Sequence, residues 1–269
     1  MRRFLAVLLL ATLALGVAAC GDDDDGAADT TSAPSTTADL GLNTPGTLTV
    51  ASDIPYTPFE FTDPGSTEAK GFDVDLVNAI AATQGITDVT FVDQSFESII
   101  LSIKQGRFDM SASSWTITPE RAKEVDFGAP YFSANQALLV PKDSTVTKLA
   151  DLAGKTVGGQ RGTVGVDLAR TVEGAEVLTY DTTDDSFNAV AQGRLDAAIT
   201  DYPVVAYAAA QKPTLKVAAE VPGNLALGLM FPKDKTALRD AFNAGLEQVK
   251  ADGTYQEIYE TWFGDLPAP

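Results

Sequence analysis

From residue 46 onward, short apolar strand-like runs alternate with helical runs, and this alternation restricts the fold more than any other feature of the chain. TLTVASD (47–53) reads as a strand, FDVDLVNAIAATQG (72–85) as a helix closed by glycine, and VTFVD (89–93) as a strand. SFESIILSIKQG (95–106) then reads as a helix and FDMSASS (108–114) as a strand. A second series follows: KTVGG (155–159), VGVDLARTV (164–172), EVLTY (176–180), SFNAVAQG (186–193) and LDAAITD (195–201). Such an order implies α/β layers with mainly parallel sheets.

One short phrase occurs twice. KQGRFDMSASS (104–114) is echoed by AQGRLDAAITD (191–201): helix end, glycine, arginine, apolar residue, aspartate, strand. Glycine there suits a left-handed helix cap. Coincidence in a common helix-to-strand turn is the plain alternative. If the units are equivalent, the chain holds two similar lobes, with strands ending at Ser114 and Asp201. Ligands of open α/β sheets lie beyond the carboxyl ends of the strands. The segments after residue 52, at 113–121, at 159–164 and around 201 would then border one cleft.

What precedes this pattern is of another kind. MRR, an apolar run FLAVLLLATLALGV and a small-residue close read as a secretory signal over 1–19. The single cysteine, Cys20, follows VAA and resembles the lipidated residue of a bacterial lipobox; a free or buried thiol is the alternative. Residues 20–45 are acidic, then rich in Ser, Thr, Ala and Pro, and read as a disordered tether. Its DDDD run reads as a solvated spacer rather than a calcium site. No other run approaches the ~18 apolar residues that span a bilayer. One cysteine also excludes an intrachain disulfide.

Charge removes several function classes. The chain carries 19 Lys+Arg against 37 Asp+Glu, and 17 against 31 once Arg2, Arg3 and the six tether aspartates are set aside. Nucleic acid wants a basic face, so it is not an expected partner; an anionic membrane surface is disfavoured for the same reason. Histidine is absent, which excludes His-based catalysis and His-ligated metal.

The candidate binding residues lie at the strand edges. In SSWTITPERAKEVDF (113–127), Thr118 suits a helix N-cap and Pro119 the first helical position. Arg121 then stands in the first turn, where cations are disfavoured by the backbone dipole. Guanidinium and free amides together make an anion site, and the planar fork matches a carboxylate. Thr116 adds a hydroxyl or an amide. A surface ion pair of Arg121 with Glu120, Glu124 or Asp126 fits the spacing as well. Asp201 ends an apolar strand before Tyr202–Pro203, and suits either an ammonium or a cap; Pro203 as first helical residue would make Tyr202 the cap. GGQRGTVG (158–165) lacks the Gly-Lys-Ser/Thr of a phosphate loop, but amides at Thr163 and Val164 would extend a carboxylate cradle. Tyr56 and Phe96 follow strand edges as apolar walls or as ordinary core. A cation from one side and an acid from the other suit a zwitterion. For the ligand side chain, Asp53 would grip a cationic group, Arg161 would face an acidic one or solvent, and Gln160 with Asp53 would suit an amide.

Across about 46–265 the chain resembles the family 3 solute-binding proteins, the polar amino-acid receptors of ABC importers. LTVASDIPYTPFEF, GFDVDLVNAIA, QGRFDMSASSWTITPERAKEVDFGAPYF, GKTVGGQRGTVG, QGRLDAAITDYPVVAY and ADGTYQEIYETWFG carry the likeness, in that order. The resemblance implies a two-lobed periplasmic-binding-protein fold of type II, with a ligand cleft between the lobes. Lobe 1 would be 46–132 plus 227–269 and lobe 2 133–226, joined by two hinge strands near YFSANQALLV and LALGLMF. It further implies that Arg121, Thr116 and the Thr163–Val164 turn hold the α-carboxylate. Asp201 and the Ser114 carbonyl would hold the α-ammonium, Tyr56 and Phe96 would flank the side chain, and Ser113 would line the site. Val164 stands where many relatives have a second hydroxyl residue, and Trp115 where many have a smaller one. The implied activity is capture of a polar L-amino acid by hinge closure and delivery to ABC permease subunits, by a lipid-anchored, extracytoplasmic monomer without cofactor or metal. Two rivals share the fold: a dehydratase of cyclohexadienyl acids, which needs a cleft acid to protonate its leaving group, and a sensory subunit that binds the same ligand. A structural surface lipoprotein is the plain alternative.

Overall fold

A computed structural model describes residues 39–264. The signal segment, Cys20 and the tether up to residue 38 lie outside the described residues. The expected tether runs on to 45, yet Leu40 and Leu42 pack against the core. The Asn43 amide donates to Asp109 Oδ1 at 2.7 Å, and Lys235 Nζ reaches Gly41 O at 2.9 Å. Two leucines and one backbone clasp thus outweigh the polar composition of this stretch.

The chain begins with β1 (Thr47–Ser52), a small hairpin β2 (Phe61–Thr62) and β3 (Ala69–Lys70), α1 (Phe72–Thr83) and β4 (Asp88–Asp93). It continues through α2 (Phe96–Lys104), β5 (Met110–Ser111), α3 (Pro119–Glu124), β6 (Asp126–Phe127) and the long β7 (Phe132–Pro141). Then come β8 (Thr156–Gln160), α4 (Val164–Arg170), β9 (Glu176–Tyr180), α5 (Thr183–Ala191), β10 (Ala197–Asp201), α6 (Tyr202–Gln211) and the long β11 (Leu215–Leu227). It closes with β12 (Met230–Phe231), α7 (Thr236–Ala251) and α8 (Thr254–Phe263). No described helix is long and apolar enough to cross a membrane.

Two five-stranded sheets organise these elements, in the orders β4-β1-β5-β12-β6 and β11-β7-β10-β8-β9. Each has a parallel centre: β1 pairs with β4 and β5, and β8 with β9 and β10. These are two α/β lobes. The chain passes from the first to the second along β7 and returns along β11, and these strands pair antiparallel from Leu215–Pro141 to Leu227–Phe132. The two crossings are therefore one ribbon.

The echoed phrase has one structural meaning in both lobes. Asp109 accepts from the Thr49 amide at 2.8 Å and returns its own amide to Thr49 O at 3.0 Å. Asp196 does the same with Thr156, at 2.9 and 2.8 Å. Each aspartate thus ties the start of its own strand, β5 or β10, to the first half of the neighbouring parallel strand, β1 or β8. The preceding Gly106 and Gly193 have φ of 66° and 71°, the left-handed stop that ends each helix.

Apolar residues of β1, α1, α7 and α8 fill the first lobe around a cluster of Phe59, Phe72, Phe132 and Phe263, with ring centroids 5.1–5.9 Å apart. A second core of Leu138, Val140, Leu152, Val157 and Ile199 lies in the second lobe.

Candidate functional site

The carboxyl ends of strands from both sheets face one narrow cavity, whose empty space counted out to its mouth is about 350 Å³. It is lined by Asp53, Tyr56, Phe96, Ser113, Ser114, Thr116 and Arg121 from the first lobe. Gln160, Thr163, Val164, Thr200 and Asp201 line it from the second, and Gln136 from the β7 crossing.

Arg121 is placed as the local sequence dictates. Thr118 caps α3, its hydroxyl accepting from the Arg121 amide at 3.2 Å, with Pro119 opening the helix. The side chain is buried, not paired on the surface with Glu120, Glu124 or Asp126. Nη1 donates to Thr116 O at 2.8 Å and Nη2 to Gly162 O in the other lobe at 3.0 Å. Two of the five guanidinium donors are thus used and three remain. Its carbon lies 4.9 Å from the Trp115 ring and 5.5 Å from Phe96, which stack on each other at 4.1 Å. Trp115 is buried behind the arginine and does not line the cavity. Burial lowers the guanidinium to about 10, against the pull of Asp201, so it stays charged at neutral pH.

Asp201 corrects one expectation. It, not Tyr202, occupies the N-cap position of α6, yet its side chain makes no cap bond. Its carboxylate instead accepts from Gln136 Nε2 and from Tyr56 OH, both at 2.6 Å. Burial raises it to about 6; the bonds from Tyr56 and Gln136 and the charge of Arg121 oppose that rise. Each oxygen has capacity for a further donor.

Asp53 is buried and accepts from Gln160 Nε2 at 2.6 Å across the cleft. Burial raises it too to about 6, against the Gln160 bond. Gln160 is fixed in turn by Thr183, whose hydroxyl donates to its Oε1 at 3.0 Å. Thr163 caps α4, accepting from Val166 N at 3.5 Å and donating to Gln160 O at 2.7 Å. Its own amide bonds Gln160 O at 3.3 Å, so of the two expected cradle amides that of Val164 is the one left open. Three glycines of GGQRGTVG serve close packing, and a Cβ on Gly165 would stand 2.3 Å from Ile199 O; the fourth, Gly162, is needed for its φ of 81°.

Arg161 is the one expected residue that does not reach the cavity. It lies at the mouth, about half exposed, 3.4 Å from Glu97 and 3.3 Å from Asp181. Two exposed carboxylates compete more effectively for it than the cavity does. Gln136 and Thr200 were not among the expected residues. Thr200 Oγ1 lies 2.8 Å from Tyr56 OH. The available signal was a buried glutamine inside the apolar run ANQALLV.

Two α/β lobes on a double-stranded hinge, with a buried cation and a buried acid facing one cavity, define the hinged small-molecule receptors. A family model matches residues 48–265. The chain belongs to the bacterial extracellular solute-binding proteins, family 3. It is 36% identical over 215 residues to an arginine-binding periplasmic protein of Mannheimia haemolytica, covering 78% of this chain and 88% of that one. A solved ancestral arginine-binding protein bound to glutamine superposes with a TM-score of 0.78 at 36% identity, over 82% of this chain and 100% of the other. An ancestral amino acid-binding protein described as a precursor of cyclohexadienyl dehydratase gives a TM-score of 0.76 at 38% identity, over 81% and 96%.

Proposed function

We propose that the protein captures a polar L-amino acid between its lobes, with preference for a cationic side chain, and delivers it to ABC permease subunits from a lipid anchor at Cys20. The observation that carries this reading is the convergence of Arg121 and Asp201, one from each lobe and both buried, on a single cavity. Three free guanidinium N–H groups and the Val164 amide suit an α-carboxylate. The open lone pairs of Asp201 suit an α-ammonium. Each lobe satisfies one end of the zwitterion, so the ligand gains most when the lobes close. Asp53 favours the cationic side chain: it is a buried carboxylate whose bonded neighbours, Gln160 and the Phe96 amide, are neutral. A cationic group supplies the counter-charge that such a site requires. The arginine and glutamine names among the relatives agree with an Asp53–Gln160 subsite.

A thermal-shift screen of the twenty amino acids, followed by calorimetry, tests the reading. Micromolar binding, about 8 kcal/mol, is expected for L-arginine and weaker binding for L-glutamine. No shift with any amino acid would refute it. The dehydratase rival has one observation in its favour, cleft acids raised toward neutrality. Both acids already accept bonds that fix them for binding. Incubation with prephenate and mass spectrometry is expected to return it unchanged.

A further inference from the structure

Beneath the cavity floor lie two carboxyls to which the binding reading gives no task. Glu60 and Asp73 are fully buried. Glu60 shares a tight turn with Tyr56: the Tyr56 amide donates to Glu60 O at 2.6 Å, and the Glu60 amide to Tyr56 O at 3.2 Å. Asp73 stands in the first turn of α1. The two acids hold consecutive residues of the floor. Ser113 Oγ donates to Glu60 Oε1 at 2.9 Å. The Ser114 amide donates to Asp73 Oδ2 at 2.9 Å, its hydroxyl lies at 3.5 Å, and Tyr131 OH donates at 2.8 Å. Ser114 is the one described non-glycine residue with a positive φ, 46°. A side chain pays for that conformation unless its surroundings impose it, and Asp73 does so here.

The remaining oxygens, Glu60 Oε2 and Asp73 Oδ1, are buried with no hydrogen-bond partner. Such an oxygen is poorly placed to carry charge. The groups facing the pair are acids and phenols: Asp53 and Asp201 from the cleft, Tyr56 and Tyr131 beside them, and Tyr255 from α8. Arg121, the cation that lines the cleft, bonds Thr116 O and Gly162 O and feels the charges of Asp201 and Asp167 rather than of this pair. Two neighbouring buried carboxyls do not both ionise without a cation. Asp73 has the donors that stabilise an anion, while Glu60 has one. Burial raises both, Asp73 to about 7 and Glu60 well above the ordinary carboxyl range.

We infer that Glu60 and Asp73 are positioning residues that hold one proton between them under the Ser113–Ser114 turn, and that capture of a cationic amino acid above this turn expels the proton to solvent. The inference rests on the receptor reading. Charge balances in the step: a cation enters the cleft, the O–H bond of the Glu60 carboxyl breaks, and its proton passes to buffer.

Calorimetry of the full chain with L-arginine at about pH 7.5, in buffers of differing ionisation enthalpy, reads the proton directly. Asp53 and Asp201, at about 6, are already mostly ionised there and contribute little. Release approaching one proton per ligand is expected in the wild type, and little or none in Glu60→Gln with binding retained. An enthalpy independent of buffer in the wild type overturns the inference, as does unchanged release in Glu60→Gln. If that variant does not fold, the wild-type affinity profile decides. Up to about tenfold tighter binding per pH unit between about 7 and 8 supports the pair, and a flat profile overturns it. Absence of binding by L-arginine or any other amino acid overturns the receptor reading instead, and is told apart by the missing heat.

Discussion

Arg121 is a guanidinium held in advance. Thr116 O and Gly162 O fix its plane, and the Trp115–Phe96 stack lies beside it. An ammonium on a flexible stem does not reproduce that fork. Arg121→Lys is therefore expected to lose most of the affinity although the charge is kept. Arg121→Ala or Asp201→Ala is expected to cost about 2–5 kcal/mol of binding by leaving a buried partner unpaired, read by calorimetry; wild-type affinity in either would remove the pair from the site. Asp53→Asn separates side-chain classes: binding of L-arginine is expected to drop at least about tenfold, or 1.4 kcal/mol, with L-glutamine much less affected. Arg121 was legible because its placement is local, a Thr-Pro start followed by one turn. Asp201 was legible because it ends an apolar strand. Arg161 was not, because its ion partners Glu97 and Asp181 come from distant parts of the chain. Gln136 was hidden because Asn135 beside it is as polar, and the sequence alone does not say which of the two alternating positions faces inward.

At the scale of elements, the repeated glycine–arginine–apolar–aspartate phrase makes equivalent bonds in two different settings. Asp109 is fully buried and bonded to Lys235 at 2.5 Å, besides Thr49 and Asn43. Burial pushes its pKa up, but those bonds outweigh it and hold the carboxyl below the ordinary range. Asp196 is exposed, with Lys155 at 4.0 Å. Asp109→Ala is expected to cost about 3–5 kcal/mol in urea unfolding, and Asp196→Ala within about 1 kcal/mol. Equal losses would mean that strand entry, not the buried ion pair, dominates. Gly165 tests helix placement. In Gly165→Ala the new Cβ meets Ile199 O and Gln136 Oε1 at 2.3 and 2.9 Å, and the first of these is backbone. Lifting α4 off β10 is expected to cost about 1–3 kcal/mol of stability and to weaken binding with every charged cleft residue intact. The alternation of elements was readable because it is a periodicity. The antiparallel pairing of β7 with β11 was not, since it joins residues far apart in sequence and rests on no local signal.

For the molecule as a whole, the buried acids set a pH response opposite to that of most proteins. Asp53 and Asp201 stand at about 6 and Asp73 at about 7, all raised by burial above the 3.8 of an exposed aspartate. The folded chain then binds more protons than the unfolded one between about pH 4 and 7, so its stability falls as pH rises through that window. Without added amino acid, the melting temperature is expected to be higher at about pH 5 than at about pH 7.5. Saturating L-arginine should narrow the difference, and a profile that rises with pH would contradict these assignments. The bridges across the cleft carry a last implication. Arg121 to Gly162, Tyr56 to Asp201 and Gln160 to Asp53 fasten one lobe to the other by direct protein contacts. On the proposed capture by closure, part of the driving force would come from the protein itself, and a transporter that senses only the shut shape would fire on an unloaded one. Fidelity would then have to come from the few bonds the protein leaves unmade, with a background rate that tightening the grip on cargo alone would not lower.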